Sequence, residues 1–361
     1  MKRFLAALLT AVMAVSLAAC GEEQAESSST TVNSGIPQTN EEVPEYNLVT
    51  GEALSEGMTA GQRPVAIMVN NAQAAMPQRG IGSADAIFEM VTEGGITRMM
   101  ALYSNAATIP QVGPVRSARD QHLQFALPMN AIFVHIGSSV YAQNLLNEYQ
   151  YQDVDGLYLG ETAFWFDSER AKTYLQEHCW YTDAALIAAG METQQISLTG
   201  ASTPLFCFSD KKVTLDELDA PDIAFSFSPT SPVRLTYDAG TGTYLKQAYG
   251  APQVDELTGA QLSFDNVILL VAEITLKPDG QCTDFNLSTG TGYYCSGGKA
   301  ESLTWEKGKA DAPLKLYHAD GTELEVNCGK SYIAVIGSEQ VSTLALNASA
   351  PVPAESTATE E

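Results

Sequence analysis

The segment EGGITRMMALYSNAATIPQVGPVRSARD, running from Glu93 to Asp120, carries three of the chain's few arginines beside two tight bends. Gly94-Gly95 and Gly113-Pro114 set the bends, and the apolar run Met99 to Tyr103 between them predicts a strand. After the second bend, Ser117 to Leu127 predicts a helix with Ser117 as its cap and Asp120 in its first turn. Pro128 ends it. Working outward, the continuous apolar runs Val65–Val69, Ala86–Val91 and Ala131–Gly137 read as buried strands. Helices are expected from Ser138 or Ser139 through Tyr149, from Glu169 to His178, and from a Thr182 cap to Gly190. This alternation predicts an α/β domain with a mixed sheet over residues 62–205.

Past Pro221 the texture changes. Val233–Tyr237 and Thr243–Tyr249 flank a glycine turn, Val267–Thr275 is a long β-branched run, and Tyr332–Ile336 closes the region. A hairpin is expected around Asp320-Gly321. Short strands with glycine turns predict a mainly antiparallel, β-rich C-terminal domain over 221–339.

The arginines suggest chemistry. Six of the seven basic residues between Arg63 and Gly200 are arginines, and Arg98, Arg116 and Arg119 fall within one segment. A planar guanidinium suits bidentate capture of carboxylate or phosphate. A helix starting near Arg116 to Ser117 would add free N–H groups. Glu93 could orient one arginine. The competing reading pairs these arginines internally with Glu89, Glu93 and Asp120. Other candidates for the site are Asn70 and Asn71, which follow a strand, and His135 at the C-terminal end of another. Ser117 stands beside two arginines. His178 lies eight residues after Arg170 on the expected helix, so the two could share a face; His122 reads as a surface residue. The chain lacks GxSxG, HExxH and nucleotide-binding loops, so no catalytic residue and no cofactor is assigned.

Charge narrows the partners. Forty-three acidic against nineteen basic residues give a net charge of −24. Nucleic acid is therefore not expected, nor broad adhesion to anionic lipid. Lys2-Arg3, the short apolar run Phe4–Val15 and Leu17-Ala18-Ala19-Cys20-Gly21 form a secretory signal over residues 1–20. A cysteine at the cut site resembles the lipobox of bacterial lipoproteins, where the thiol is diacylated and anchors the protein on the outer side of the membrane. Residues 21–61 and 340–361, polar, acidic and without Lys or Arg, are expected to be a disordered tether and tail. Five cysteines remain, Cys179, Cys207, Cys282, Cys295 and Cys328. Their number is odd, no zinc-type spacing appears, and Cys282 could meet Cys295.

Arg63-Pro64-Val65-Ala66, Asn70-Asn71, Glu93-Gly94-Gly95-Ile96-Thr97-Arg98 and Gly113-Pro114-Val115-Arg116-Ser117-Ala118-Arg119 together resemble the DUF3048 family, the YerB-like bacterial lipoproteins. Thr304-Trp305-Glu306-Lys307 is similar to that family's C-terminal domain. The resemblance covers residues 62 to 338 and implies a two-domain envelope lipoprotein, without a catalytic assignment. Where the family often has an arginine after Trp165, this chain has Phe166-Asp167, while His178, Tyr181 and Thr182 keep the family's histidine-centred stretch. The expectation is a membrane-anchored protein that uses its arginines to hold an anionic envelope ligand or a partner protein. An enzyme acting on a phosphate-linked or peptidoglycan-derived substrate is the alternative.

Overall fold

The computed structural model describes residues 44–349. The signal segment, Cys20, the start of the tether and the end of the tail lie outside the described residues. In chain order the first half gives β1 (Val65–Asn70), β2 (Ala86–Val91), β3 (Thr97–Tyr103), α1 (Asp120–Ala126), β4 (Ile132–His135), α2 (Val140–Glu148), β5 (Asp153–Asp155), α3 (Gly156–Leu159), β6 (Trp165–Phe166), β7 (Trp180–Tyr181) and α4 (Ala184–Gln194). The second half is mainly strand: β8 (Leu218–Asp219), β9 (Asp222–Ser226), β10 (Pro232–Asp238), β11 (Thr243–Ala248), β12 (Ala251–Pro252), β13 (Ser263–Phe264), β14 (Asn266–Ala272), β15 (Ile274–Leu276), β16 (Thr283–Phe285), β17 (Thr289–Ser296), β18 (Lys299–Glu306), β19 (Lys315–Tyr317) and β20 (Ser331–Gly337).

Most of these strands join one eleven-stranded sheet, ordered β19-β18-β17-β14-β20-β2-β3-β1-β4-β5, with β8 on β18. It is mixed. β1 is antiparallel to β3 but parallel to β4, and β20 is parallel to both β2 and β14. The last strand therefore inserts between a strand of the first half and one of the second. Its seven residues are all buried, as are all residues of β1, β2 and β3. Strands covered on both faces read as continuous apolar runs, which is why these runs were legible. β9 to β13 form a second, antiparallel sheet.

Several expectations fail for local reasons. The helix expected from Ser117 starts at Asp120, because backbone pairing holds 115–118 extended: Val115 bridges Val69 and Ala118 bridges Ser138. Ser117 caps nothing. The helix expected over 169–178 is two separate 3-10 turns, Arg170–Lys172 and Gln176–His178. Asp167 accepts the backbone N–H of Glu169 and Arg170, and the Arg170 side chain reaches the carbonyls of Ala75 and Pro77. Asp183, not Thr182, caps α4, which runs past Gly190 to Gln194. Ser139 caps α2 through its side chain. Cys282 and Cys295 are not bonded; both thiols are free.

The expected disorder also retreats at both ends. Within the tether, Leu48 and Val49 are buried, and Asn47 Oδ1 accepts from the N–H of Val49 and Thr50 and from Ser104 Oγ. In the tail, Ser338–Thr343 forms a 3-10 helix, and Ala345 exchanges two backbone hydrogen bonds with Ala224 of β9. These short apolar and Asx elements suffice because they lean on an existing core. Among the described residues no helix is long and apolar enough to cross a membrane.

Candidate functional site

Arg98, Arg116, Arg119, Glu93, Ser117, Asn70 and His178 meet at one end of β1 and β3. Arg98 lies on β3 directly opposite Asn70 of β1. Arg116 sits on the extended segment wedged between β1 and β4, with its N–H on Met68 O and its carbonyl receiving the N–H of Ile136. Arg119 precedes α1. Glu93 lies on the bend whose Gly94 and Gly95 adopt φ of 70° and 76°. Ser228 and Ser231, from the second half, fix this bend by donating to Gly95 O at 2.6 and 2.9 Å.

The arginines are not equivalent. Arg119 makes a bidentate pair with Glu93 at 2.7 and 2.9 Å. Arg98 is 3% exposed and makes no ion pair among the described residues. Its Nη1 donates to Ser117 O at 2.8 Å, and its Nε is buried without a partner. Arg116 also has a buried Nε without a partner, and its Nη2 lies 3.6 Å from Glu177 Oε1. Burial, then the charges of Arg119 and Arg116, pull Arg98 down to about 9, which leaves it protonated at neutral pH. A guanidinium placed so is costly unless an anion compensates it.

The imidazole of His178 joins this corner. Asn70 Nδ2 lies 2.9 Å from His178 Nδ1, while His178 Nε2 is 3.8 Å from Glu177 Oε1. Burial lowers its pKa, Glu177 pulls the other way, and Arg116 and Arg170 lower it further, so the ring is neutral at neutral pH. A neutral ring accepting from Asn70 at Nδ1 carries its proton on Nε2. Arg170 does approach His178, though by donating from Nε to its backbone carbonyl at 3.1 Å rather than by sharing a helix face.

Two candidates lie elsewhere. Asn71 turns into a separate buried network, donating to Glu89 Oε1 and Thr97 Oγ1 at 2.7 Å. His135 is fully buried, with Nδ1 2.8 Å from Gly137 O and Nε2 2.8 Å from Asp153 Oδ2, and ties β4 to β5. His122 is not on the surface. It is fully buried under the arginines, its Nε2 3.0 Å from Arg98 O and its Nδ1 unpartnered, and burial above all drives its pKa to about 3. Of the internal partners expected for the arginines, only Glu93 is one. Glu89 pairs with Lys246 and Asp120 with Lys277.

Sequence reasoning missed Glu177 and Lys277. Glu177 adjoins His178 and was within reach of inspection. Lys277 comes from the β15–β16 hairpin of the second half, and nothing local announces that this hairpin lands on α1. Among the described residues no group of His, Cys, Asp and Glu is arranged to hold a metal. A cleft of about 320 Å³ is lined by Met76, Pro77, Tyr249 and Pro252 and by none of the three arginines.

The Glu93–Arg119 pair should be acid-sensitive. Burial pushes the Glu93 carboxyl up, but hydrogen bonds and charge from Arg119 more than reverse this, leaving it below the usual range. Its contribution is complete at neutral pH and disappears as pH falls through that lowered value. The stability gap between wild type and Glu93→Gln should shrink on acidification; a gap unchanged down to about pH 3 would show the pair to be inert.

Comparison with known proteins decides the family. The profile described as "Protein of unknown function (DUF3048) N-terminal domain" matches residues 49–197, and that of the "Protein of unknown function (DUF3048) C-terminal domain" matches 223–333. The chain belongs to the DUF3048 family. It is similar to the "Putative lipoprotein YerB" of Bacillus subtilis (strain 168), at 29% identity over 286 residues, 78% of this chain and 83% of that one. The crystal structure of the YerB protein from Bacillus subtilis superposes with a TM-score of 0.71 at 25% identity, covering 82% of this chain and 98% of that one. The DUF3048 fold is thus a mixed sheet continued by strand-rich sequence, as seen here.

Proposed function

We propose that this DUF3048 protein is a membrane-anchored lipoprotein, acylated on Cys20, that binds an anionic cell-envelope ligand between Arg98, Arg116 and Arg119. The observation that carries the reading is Arg98: a buried guanidinium with no carboxylate paired to it among the described residues, next to a second arginine whose Nε is also buried and unpartnered there. Two oxygens of a phosphate or carboxylate would satisfy both. The lipoprotein part rests on the signal segment and on the name of the Bacillus subtilis relative. No helix N-terminus takes part in this reading, since α1 begins at Asp120, whose own carboxylate occupies its first turn.

Arg116→Ala is the test, because Arg116 makes a single long ion pair and its removal should spare the fold. With inorganic pyrophosphate as probe at a hundredfold excess over its dissociation constant, the full chain should gain about 2.7 kcal/mol of stability. The variant should gain none. An undiminished gain in the variant would place the anion elsewhere. A transfer reaction on the bound anion is the second reading, favoured by the neutral imidazole of His178 beside Arg116 and Glu177. Turnover of a pyrophosphate-linked substrate that His178→Gln abolishes would establish it.

A further inference from the structure

Large apolar side chains that stay exposed gather around the arginines. Val140, Leu157, Tyr158, Leu175 and Leu276 are 61–76% exposed, the most open large apolar residues among those described. Each belongs to an element that borders the cluster. Leu157 and Ser117 both reach within 4 Å of the space beside the Gly137 α-carbon. Val140 opens α2 next to Ser139, whose N–H donates to Ala118 O between Ser117 and Arg119. Leu175 starts the turn that carries Glu177 and His178, its carbonyl taking the His178 N–H. Leu276 precedes Lys277, which pairs with Asp120 at 2.9 Å and lies over the Tyr141 ring beside Val140. Exposed apolar residues scattered singly need no account, but a rim around a cationic centre does.

Resting on the anion-site reading, we propose that the ligand is an amphiphile: a lipid whose phosphate sits between Arg98 and Arg116 while its hydrocarbon chain lies across the rim formed by Leu157, Val140 and their neighbours. Charge complementarity selects this occupant. Three arginines, Arg98 the most buried of them, stand together in a chain of net charge −24, which repels an anionic bilayer as a whole but accepts one headgroup. A free phosphate would leave the rim without a purpose. A protein partner would bury the rim but has no need of a guanidinium that is already 97% out of solvent, since interface arginines work from the surface.

The test titrates the full chain with dihexanoyl phosphatidic acid below its micelle concentration, against glycerol phosphate and dihexanoyl phosphatidylcholine. Phosphatidic acid should bind about tenfold or more tighter than glycerol phosphate, because burying two methylenes already supplies that factor. Leu157→Ser together with Val140→Ser should erase this advantage and leave glycerol phosphate binding intact. Both residues are exposed, so the double variant should fold normally, which unchanged circular dichroism would verify. Equal affinity for phosphatidic acid and glycerol phosphate overturns the amphiphile while sparing the anion site. Equal affinity for the choline lipid overturns it as well, since the arginines would then select nothing. Absence of binding by every probe overturns both readings.

Discussion

Replacing Lys246 by methionine should cost the protein about 3–5 kcal/mol, the range for stripping one partner from a buried ion pair. Lys246 is fully buried and its Nζ lies 3.0 Å from Glu89 Oε2, itself 1% exposed. The pair stands in a closed polar network. Tyr332 donates to Glu89 Oε2 at 2.7 Å, Lys246 donates to Gln253 Oε1 at 2.6 Å, and Asn71 links Glu89 to Gln78 and Gln253. Burial, then the Glu89 charge, holds the Tyr332 phenol well above its usual value, so it remains a donor. Without the ammonium, the carboxylate keeps its hydrogen bonds but loses the one countercharge paired with it among the described residues, at a fully buried position. Combining Lys246→Met with Glu89→Gln should recover much of the loss, because the neutral amide no longer needs a cation. Urea unfolding of both variants checks this. A single-variant loss below about 1 kcal/mol would mean that the pair is solvated in practice.

Trp305→Ala should be comparably severe, about 3–5 kcal/mol for a large buried ring. Trp305 on β18 is 1% exposed and its Nε1 donates to Thr291 O at 3.0 Å. A β-carbon at Gly290 of the neighbouring strand β17 would stand 2.3 Å from Val271 O of β14 and 2.7 Å from the Trp305 indole. This explains glycine in mid-strand, where it otherwise weakens a sheet. Gly290→Ala should therefore destabilise in the same assay although it adds only a methyl group. If Gly290→Ala is neutral, both the indole and the β14 backbone at Val271 have room to shift, and the estimate for Trp305 falls with it. The adjoining Lys307 has a similar standing: 2% exposed, it donates to the carbonyls of Lys309, Ala310 and Ala312, and burial lowers it to about 8. The Thr304-Trp305-Glu306-Lys307 stretch is thus a structural signature rather than part of the arginine site.

What could be read from the sequence followed from one-dimensional patterns. The apolar runs at Val65, Ala86 and Tyr332 announced buried strands, and Ser139 announced a helix, because burial on both faces and side-chain capping are local facts. The arginine segment was legible in part for the same reason: the short loop between the paired strands β2 and β3 keeps Glu93 and Arg98 together whatever else folds, while Arg119 joins them only through its pair with Glu93. His178 was legible as a candidate but not its route to the site, which runs through broken 3-10 turns rather than a helix. His122 misled because a polar stretch, Asp120-Gln121-His122, reads as a solvated face, yet Lys277, Thr283 and the carbonyl of Arg98 satisfy it from above and below. Asn70 and Asn71 part company, Asn70 facing His178 and Asn71 facing Glu89, since side chains of adjacent residues at a strand end point to opposite faces. The parallel insertion of β20 could not be read at all, because register between strands more than two hundred residues apart leaves no trace in either strand alone.

That insertion sets a schedule for the molecule. β2 is paired on one side by β3, close in the chain, and on the other only by β20, which ends at Gly337. A chain delivered N-terminus first therefore carries an open apolar strand edge for almost its whole length. Any product that stops short of the last strand keeps that edge and offers it to proteases and to other unfinished chains. Only a chain that reaches Gly337 can close that edge, so the sheet stays open until the last strand is made.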